Sequence, residues 1–186
     1  MIRIATEHDA EAIAGIYAPY VRDTAISFEL EPPDLAEMAA RIRATLATHP
    51  WLVYEERGNI VGYAYASVHR PRPAYRWHAD VSVYLNSTAH RRGIGRALYT
   101  TLLELLVRQG YFTAYAGITL PNAASVGLHE AMGFTLVAAF PKEGNKFGIW
   151  HDVGWWQLPL RNFDRPDAEP VPFAELREAP GFQLAP

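Results

Sequence analysis

A short segment in the middle of the chain has the residue types needed to hold an anion. Arg91-Arg92-Gly93-Ile94-Gly95-Arg96 follows a strand-like run and opens a helix-like run. Glycines let backbone amides approach an anion, a helix N-terminus adds positive partial charge, and three arginines can neutralise a pyrophosphate. The spacing favours a phosphate-binding loop, although a tight turn without a ligand explains two glycines equally well.

Two common nucleotide motifs do not fit this segment. A P-loop ends in Gly-Lys-Ser or Gly-Lys-Thr, whereas Ile94-Gly95-Arg96 follows Gly93 here. A dinucleotide fingerprint needs a third glycine, and that position is Leu98. The loop also follows several predicted strands rather than opening a first β-α-β unit. The phosphate ligand that the pattern indicates therefore belongs to another class.

Helices and strands around the loop are predicted from apolar spacing, capping residues and breakers. Thr6 with Asp9 and Asp34 with Glu37 open two helices, and Gly110 ends a third. Strands interleaved with helices predict a three-layer α/β domain with a mixed sheet. The predicted elements are a strand at 1–5, the two capped helices, strands at 51–55, 60–68 and 80–85, a helix at 96–109, a strand at 111–118, a short helix from Pro121 to Gly133, and strands at 134–140 and 153–160.

Length and composition bound the class of protein. The 186 residues are 49% hydrophobic and 20% charged, as in one globular domain, which we expect to span residues 1–160. A net charge of −3 argues against nucleic acid as a partner, and the lack of cysteine excludes thiolate chemistry. With no apolar run near the roughly 20 residues of a membrane span and a charged start to the chain, we expect a cytoplasmic protein without a membrane partner. Residues 161–186 form a Pro-rich tail, expected to be loosely ordered or packed on the surface or on a partner subunit.

The order strand, Arg-Arg-Gly-Ile-Gly-Arg, helix, strand, Pro-Asn, helix, Gly-Phe resembles the GNAT superfamily of N-acetyltransferases. Further stretches resemble its phosphinothricin acetyltransferase branch, and the likeness runs from about residue 2 to Leu160. Those stretches are Pro50–Val53, Gly62–Ala66, Ala74–Trp77, Ser82–Tyr84, Leu120–Asn122, Leu128–Phe134, Lys146–Gly148 and Trp150–Gln157.

The resemblance implies a GNAT-like three-layer α/β/α domain around a mixed, mostly antiparallel sheet, with acetyl-CoA as co-substrate and no metal. The pantetheine arm would pair with the backbone of one strand, the pyrophosphate would lie in the glycine loop, and an asparagine would contact the arm. The implied cofactor residues are Val83, Tyr84, Leu85, Arg91, Arg92, Gly93, Ile94, Gly95, Arg96 and Asn122. A loop position that carries Gln or Arg in the superfamily is His90 here, which weakens one pyrophosphate contact but leaves the arginines.

Two side chains match the positions that do the chemistry in this family. The general-base glutamate falls at Asp80, which is one methylene, about 1.5 Å, shorter; a bridging water can span that difference. His129 falls where this branch carries a histidine, to protonate the departing thiolate or to orient the substrate. The alternatives are a strand-edge cap or salt-bridge partner at Asp80 and a structural helix histidine at His129.

The resemblance also implies that the substrate is a small amino-acid-like amine, such as phosphinothricin, methionine sulfone or methionine sulfoximine. Arg72 and Tyr75 match positions near the substrate. Phe28 is expected to form a wall of the pocket, and Lys146 is expected to line it, from the same chain or across a homodimer. Arginine forks suit a carboxylate or phosphinate. The alternative for Arg70, Arg72 or Arg76 is a solvated charged loop.

Four alternatives stay open at this stage. The acetyl acceptor can be another amino acid, a polyamine or a protein N-terminus, although a polyamine site would be lined with acids rather than arginines. A protein of another class, a degenerate module that binds acyl-CoA without turnover, is suggested by the aspartate at position 80.

Overall fold

The computed structural model describes residues 1–164, 166 and 168–184. Within them the chain forms seven strands and five α-helices. The strands are β1 (Ile2–Ile4), β2 (Trp51–Glu56), β3 (Asn59–Val68), β4 (His78–Leu85), β5 (Thr113–Leu120), β6 (Thr135–Lys146) and β7 (Ile149–Pro159). The helices are α1 (Ala10–Asp23), α2 (Leu35–Thr48), α3 (Ile94–Gln109), α4 (Ala123–Ala131) and α5 (Phe173–Glu178).

The seven strands form one mixed sheet in the order β1-β2-β3-β4-β5-β7-β6. Every neighbouring pair is antiparallel except β4 and β5, which are parallel and joined through α3. The predicted α/β class with a mostly antiparallel mixed sheet is confirmed. The parallel pair is short, because only His78, Ala79 and Asp80 have partners on β5. Beyond Asp80 the two strands diverge, and this divergence opens the sheet.

Helices cover both faces of the sheet. Tyr84 lies edge-on to Tyr17 and Tyr20 of α1, with ring centroids 5.0 and 5.1 Å apart. The next residue, Leu85, lies against Gly95 of α3. Since successive strand residues point to opposite faces, α1 and α3 occupy opposite faces, and the fold has three layers.

The apolar spacing of α3 explains why this helix forms and which side it buries. Leu98, Leu102, Leu105 and Leu106 recur at helical spacing and are all buried in the core. The helix ends where Gly110 adopts a φ of 97°, a left-handed conformation that a glycine accepts without strain. This helix is the rigid support for the glycine loop that precedes it.

The last two strands are longer than the sequence predicts. We expected strands at 134–140 and 153–160, but β6, which includes Pro141, runs to Lys146, and β7 begins at Ile149. β6 is an edge strand, where a proline costs no ladder hydrogen bond, and the register shifts between Phe140 and Gly144 absorb the irregularity. The result is a long hairpin, β6–β7.

The tail includes a short helix where the structure describes it. Residues 173–178 form α5, and Phe173 is fully buried in the core. Gln109 of α3 fixes the approach to α5 by donating to the carbonyl of Val171 at 2.7 Å. α5 therefore packs on the surface of the domain, which is one of the expected arrangements, and the buried side chain of Phe173 holds it there. Arg165, Asp167, Ala185 and Pro186 of the predicted tail lie outside the described residues. None of the helices described here has the length and apolar character for crossing a bilayer.

Candidate active site

A cleft of 740 Å³ lies where β4 and β5 diverge, and residues of β4, α3, α4 and α1 line it. It brings together nine of the ten residues predicted to hold the cofactor, all except Arg92. It also includes residues that sequence reasoning did not assign, such as Tyr20 of α1. The remaining lining residues are Ile26, His90, Ala123, Ala124, Ser125, Leu128 and Ala131.

The glycine loop presents the start of α3 to this cleft. Gly93 has a φ of 78° and immediately precedes the helix, which begins at Ile94 rather than at the predicted Arg96. No side chain caps the helix, and its first turn has no acidic residue. The first amides therefore keep their donors and the helix dipole keeps its positive end, which together suit an anionic group.

The arginines of the loop divide between two environments. Arg91, with a φ of 58°, and Arg96 line the cleft. Arg92 instead donates to Glu56 at 2.6 Å on the exposed surface, and it does not line the cleft. The expectation that the Arg92 side chain contacts the cofactor does not fit this arrangement, since its guanidinium is already paired with a carboxylate.

Two further polar groups shape the cleft walls. Asn122 caps α4 by accepting from the Ser125 amide at 3.1 Å, which leaves its amide nitrogen uncommitted among the hydrogen bonds of the described residues. Tyr20 donates to the carbonyl of Leu85 at 2.6 Å and accepts from His90 at 3.2 Å. The Leu85 carbonyl is thus occupied, although the rest of the β4 edge beyond Asp80 has no strand partner on β5.

Asp80 lies at the point where the sheet opens. It is the last β4 residue paired with β5, opposite Tyr115, and a narrow 60 Å³ extension of the opening starts with Val81. Because strand residues alternate, Asp80 shares the α1 face with Tyr84, opposite α3. Its side chain is 27% exposed and accepts from His69 Nδ1 at 2.6 Å.

The environment of Asp80 alters its proton affinity. Burial raises the pKa of the Asp80 carboxyl to about 6, and the hydrogen bond and charge of His69 and the charge of Arg70 oppose that rise. At neutral pH the group is mostly ionised, yet it holds a proton far more readily than an exposed aspartate. Such a carboxylate is suited to accept a proton from an ammonium group.

His129 is buried beside the opening and both of its ring nitrogens are engaged. Nδ1 lies 2.7 Å from the Ser125 carbonyl, which only accepts, so Nδ1 carries the hydrogen. Nε2 then accepts from the Tyr99 hydroxyl at 2.9 Å. Burial lowers the pKa of His129, which favours this neutral form. Direct protonation of a thiolate by this imidazole would require one of these bonds to break.

The predicted substrate residues do not all meet. Phe28 of the α1–α2 loop packs against Gly144 of the β6–β7 hairpin, with its ring 6.2 Å from that of His151. Tyr75 lies 6.3 Å from the His69 ring and so belongs to the surroundings of Asp80. Arg72 lines a separate 240 Å³ crevice that includes the tail residue Pro170.

Lys146 is not a pocket-lining residue in this structure. Its side chain is 1% exposed, and its ammonium donates to the carbonyls of Val21 and Ser27, both at 2.6 Å. A backbone-bonded, buried ammonium is not free to contact a substrate. It instead ties the segment after α1 to the hairpin.

Sequence reasoning missed His69, the hydrogen-bond partner of Asp80, and Tyr115, the ring on which His69 stacks. His69 directly follows β3, and its ring stacks on Tyr115 at 4.3 Å. The register that pairs Ser67 with Asp80 makes His69 a diagonal neighbour of Asp80 on one face. Only a correct register across the long β3–β4 loop would have revealed it. In the described ranges, no group of three or more histidine, cysteine, aspartate or glutamate residues is arranged to hold a metal ion.

Comparison with known proteins gives a consistent set of similarities. Residues 2–155 match a family described as an acetyltransferase (GNAT) domain. The chain is 39% identical over 171 residues to a phosphinothricin N-acetyltransferase of Streptomyces viridochromogenes, covering 92% of this chain and 91% of that one. It is 37% identical over 168 residues to an L-methionine sulfoximine/L-methionine sulfone acetyltransferase of Salmonella typhimurium, covering 90% and 98%. The crystal structure of a GNAT superfamily phosphinothricin acetyltransferase from Sinorhizobium meliloti in complex with acetyl-CoA has a TM-score of 0.88 at 34% identity, covering 93% and 96%.

Proposed function

The chain belongs to the acetyltransferase (GNAT) domain family, and from this premise we propose that it is an N-acetyltransferase for the amine of a small amino-acid-like substrate. Phosphinothricin and methionine sulfone or sulfoximine are the acceptors that its relatives' names suggest. The observation that carries the proposal is the opening between β4 and β5, with a candidate anion-binding loop on one face and a partly buried carboxylate on the other.

Acetyl-CoA fits the cleft by the chemistry of its lining. The free amides at the start of α3, with Arg91 and Arg96, suit the pyrophosphate. A Cβ added at Gly95 would lie 3.2 Å from Leu128, so the glycine keeps the gap between α3 and α4 wide enough for a ligand chain. The unpaired β4 edge at Val83 offers backbone groups to the amides of the pantetheine arm. Acetyl-CoA supplies an activated thioester carbonyl.

The amine approaches Asp80 from the α1 face in this proposal. Asp80 accepts a proton from the ammonium form, directly or through one water, and the amine then has a free electron pair. That pair forms the bond to the acetyl carbon while the carbon–sulfur bond breaks. Backbone amides of β4 near Val83 stabilise the oxygen that gains negative charge. With a thiol pKa near 8.5, the departing thiolate needs no strong acid, and it takes up the second proton of the amine.

His129 has a positioning role in this scheme. Its bond to Tyr99 links α4 to α3, and its bond to the Ser125 carbonyl, within α4, fixes the orientation of the ring. The imidazole thereby holds both walls at the distance that the cofactor arm needs. We retain thiolate protonation by His129 as the alternative, which requires a rearrangement of these bonds.

The substrate's anionic end is assigned to the loop before β4. Arg70 lies over the Tyr75 ring at 5.5 Å, and its charge lowers the pKa of Asp80, so it is electrostatically close to the reacting amine. Arg72, in the neighbouring crevice, provides a second cation for the same carboxylate or phosphinate. Phe28, which packs against Gly144, forms the apolar wall of the proposed substrate site. A polyamine substrate is disfavoured because two cations at this loop would repel it.

A thiol-release assay tests the proposed activity. The wild-type protein is offered acetyl-CoA with a panel of phosphinothricin, methionine sulfone, methionine sulfoximine, the standard amino acids, spermidine and a peptide with a free N-terminus. Turnover with the amino-acid-like compounds supports the proposal. Turnover only with spermidine or the peptide overturns the substrate class, and acetyl-CoA binding without turnover on any amine identifies a binding module.

The assembly belongs to the same proposal. We propose a homodimer that buries the apolar surface of the β6–β7 hairpin, where Trp150 is 60% exposed. Of the other tryptophans near the last strand, Trp156 is buried in the core. Residues 1–160 are the proposed catalytic domain, with 161–186 as an attached segment. A cytoplasmic location fits an enzyme that draws on the cell's acetyl-CoA.

A further inference from the structure

A histidine is fixed against the proposed general base. His69 Nδ1 lies 2.6 Å from Asp80 Oδ1, and the His69 side chain is only 9% exposed. A carboxylate oxygen accepts, so Nδ1 carries the hydrogen. The second Asp80 oxygen has no hydrogen bond among the described residues and stays available to an ammonium group or a water.

Aromatic rings from three strands hold the imidazole in this orientation. It stacks on Tyr115 of β5, with the rings 13° from parallel, and it meets the edge of Trp155 of β7 at 5.9 Å. His78 of β4 lies 6.3 Å away. A ring packed on several sides loses little further freedom when it donates its hydrogen bond, which makes the bond geometrically reliable.

We infer that His69 is a positioning residue for proton transfer, which holds one oxygen of Asp80 and favours its ionised form while the other oxygen takes the substrate proton. This inference rests on the proposed N-acetyltransferase function. The proton balance is simple: Asp80 gains one proton from the ammonium group and later releases it to water. His69 keeps its own Nδ1 proton throughout, and no other reactant is needed.

The charges around Asp80 show why such a partner matters. The hydrogen bond and charge of His69 and the charge of Arg70 lower the pKa of Asp80. Tyr65 and Tyr115 are neutral groups beside it. The pKa of His78 is lowered by burial and by His69, so it brings no positive charge at neutral pH. Tyr75 completes the surroundings. Among the residues that the structure describes, His69 makes the single direct hydrogen bond to Asp80, and this bond opposes the effect of burial on the pKa of Asp80.

Two substitutions separate the hydrogen bond from the packing. His69→Phe keeps a flat ring on Tyr115 but removes the donor. His69→Asn keeps a donor nitrogen at the same distance from the backbone but removes most of the stacking area. If His69 acts as inferred, His69→Phe raises the acid-limb pKa of kcat/KM for the amine by about one to two pH units, the scale for losing a hydrogen bond to a charged group.

The rates follow from that change. The kcat/KM of His69→Phe at pH 7 falls by about 2- to 10-fold, because a carboxyl whose pKa rises from about 6 to about 7–8 is only about half to one-tenth ionised at that pH. The rate recovers as the pH rises. KM for acetyl-CoA stays unchanged, because the α3 cleft is not altered. His69→Asn keeps an acid limb close to that of the wild type. A purely structural role predicts the reverse order, with His69→Asn the more damaged variant and an unmoved acid limb, and that result would overturn the inference.

Nitrogen NMR of the histidine rings gives a readout that does not depend on turnover or on the variants' folding. In the wild-type protein the His69 ring is expected to carry hydrogen on Nδ1 and to show an inflection as Asp80 titrates. The Asp80→Asn protein, used only for signal assignment, lacks that inflection. An Nε2-protonated His69, or a ring that is insensitive to Asp80, would contradict the inference.

A double-variant cycle distinguishes this inference from the proposed function. If Asp80→Asn keeps the wild-type rate at neutral pH, the proposed base is wrong and His69 loses its role with it. If Asp80→Asn is strongly impaired but His69→Phe leaves the pH profile unchanged, only the inference about His69 fails. If both hold, adding His69→Phe to Asp80→Asn produces almost no further loss.

Discussion

The Lys146 ammonium donates to the carbonyl of Ser27 at 2.6 Å, although 119 residues separate them in the chain. A second bond of 2.6 Å joins the same ammonium to the carbonyl of Val21. Phe28, next to Ser27, rests on Gly144 of the same hairpin. The loop that walls the proposed substrate site is therefore held by the β6–β7 hairpin through one buried cation.

Replacing Lys146 is expected to loosen this loop. Lys146→Met keeps the length of the side chain but leaves two buried carbonyls without a donor, which costs about 2–4 kcal/mol of unfolding free energy. KM for the amine should rise, while the affinity for acetyl-CoA stays constant. Urea denaturation and steady-state kinetics measure both. Lys142→Met is the matched control, because Lys142 is exposed. If the two variants were equally stable, the hydrogen bonds of Lys146 would not be what holds this loop.

A side chain at Gly95 is expected to block the proposed cofactor cleft. Gly95→Val adds atoms between α3 and Leu128, where even a Cβ comes within 3.2 Å. Acetyl-CoA affinity should fall about 10-fold or more, the equivalent of at least about 1.4 kcal/mol. Gly127→Val, on the exposed side of α4 with nothing within 4 Å of its Cβ, carries the same propensity cost without the obstruction. Calorimetric titration of both proteins tests this, and equal loss in the two would point to helix propensity alone.

The predictable parts of the fold are those in which local pattern and tertiary packing agree. The leucine spacing of α3 and its terminal Gly110 predict that helix well, since both act within a few residues. The β6–β7 hairpin was predicted too short, because Pro141 is tolerated only where the strand is an edge, and edge position is a property of the whole sheet. Likewise, Phe173 gives no local sign that it will be buried in the core.

The residues of the candidate site also differ in whether a local sequence pattern could predict them. The candidate anion-binding loop could be found from sequence, because its glycines and arginines lie within six residues. The bond between His69 and Asp80 depends on strand register across the long β3–β4 loop, which no local pattern specifies. The burial of Lys146 depends on two backbone carbonyls more than a hundred residues away. A lysine near an expected pocket was for that reason misread as a substrate contact.

Removing the carboxylate at position 80 tests the proposed base. Asp80→Asn should bind acetyl-CoA normally but lose about 10²–10⁴-fold in kcat, the usual scale for a general base. The loss should shrink at high pH, where the amine is already neutral. Asp80→Glu retains a carboxylate and should keep more activity than Asp80→Asn. A near-normal rate for Asp80→Asn at neutral pH would place the base elsewhere, with His129 as the next candidate.

A charged hairpin surface is expected to prevent the proposed dimer. Ile149 and Trp150 are both 60% exposed at the start of β7, so Ile149→Glu with Trp150→Glu changes the surface without disturbing the core. Sedimentation should show a dimer for the wild type at micromolar concentration and a monomer for the double variant. Val107→Glu, on the exposed side of α3, should remain dimeric. A monomeric wild type would eliminate the dimer from the proposal.

Two buried titratable groups have opposite effects on stability in the same pH range. Burial lowers the pKa of His49 from 6.5 to about 4, and its Nε2 lies 2.8 Å from the Tyr111 hydroxyl. The unfolded chain binds a proton at His49 first, so its contribution is present above pH 6.5 and is lost as the pH falls towards 4. The pKa of Asp80 is raised from 3.8 to about 6. The folded chain binds this proton first, so stability from Asp80 is present below about pH 4 and is lost as the pH rises through 6.

Single variants are expected to reveal each effect, because the two largely cancel in the wild type. Each shift of about two pKa units corresponds to about 3 kcal/mol. Relative to the wild type, Asp80→Asn should lose stability between pH 6.5 and 4.5, since it lacks the proton uptake of the folded state. His49→Gln keeps an amide for Tyr111 and should gain relative stability over the same range. Urea denaturation at pH 4.5 and 7 measures both differences, and parallel curves for all three proteins would show that neither group is perturbed by its burial.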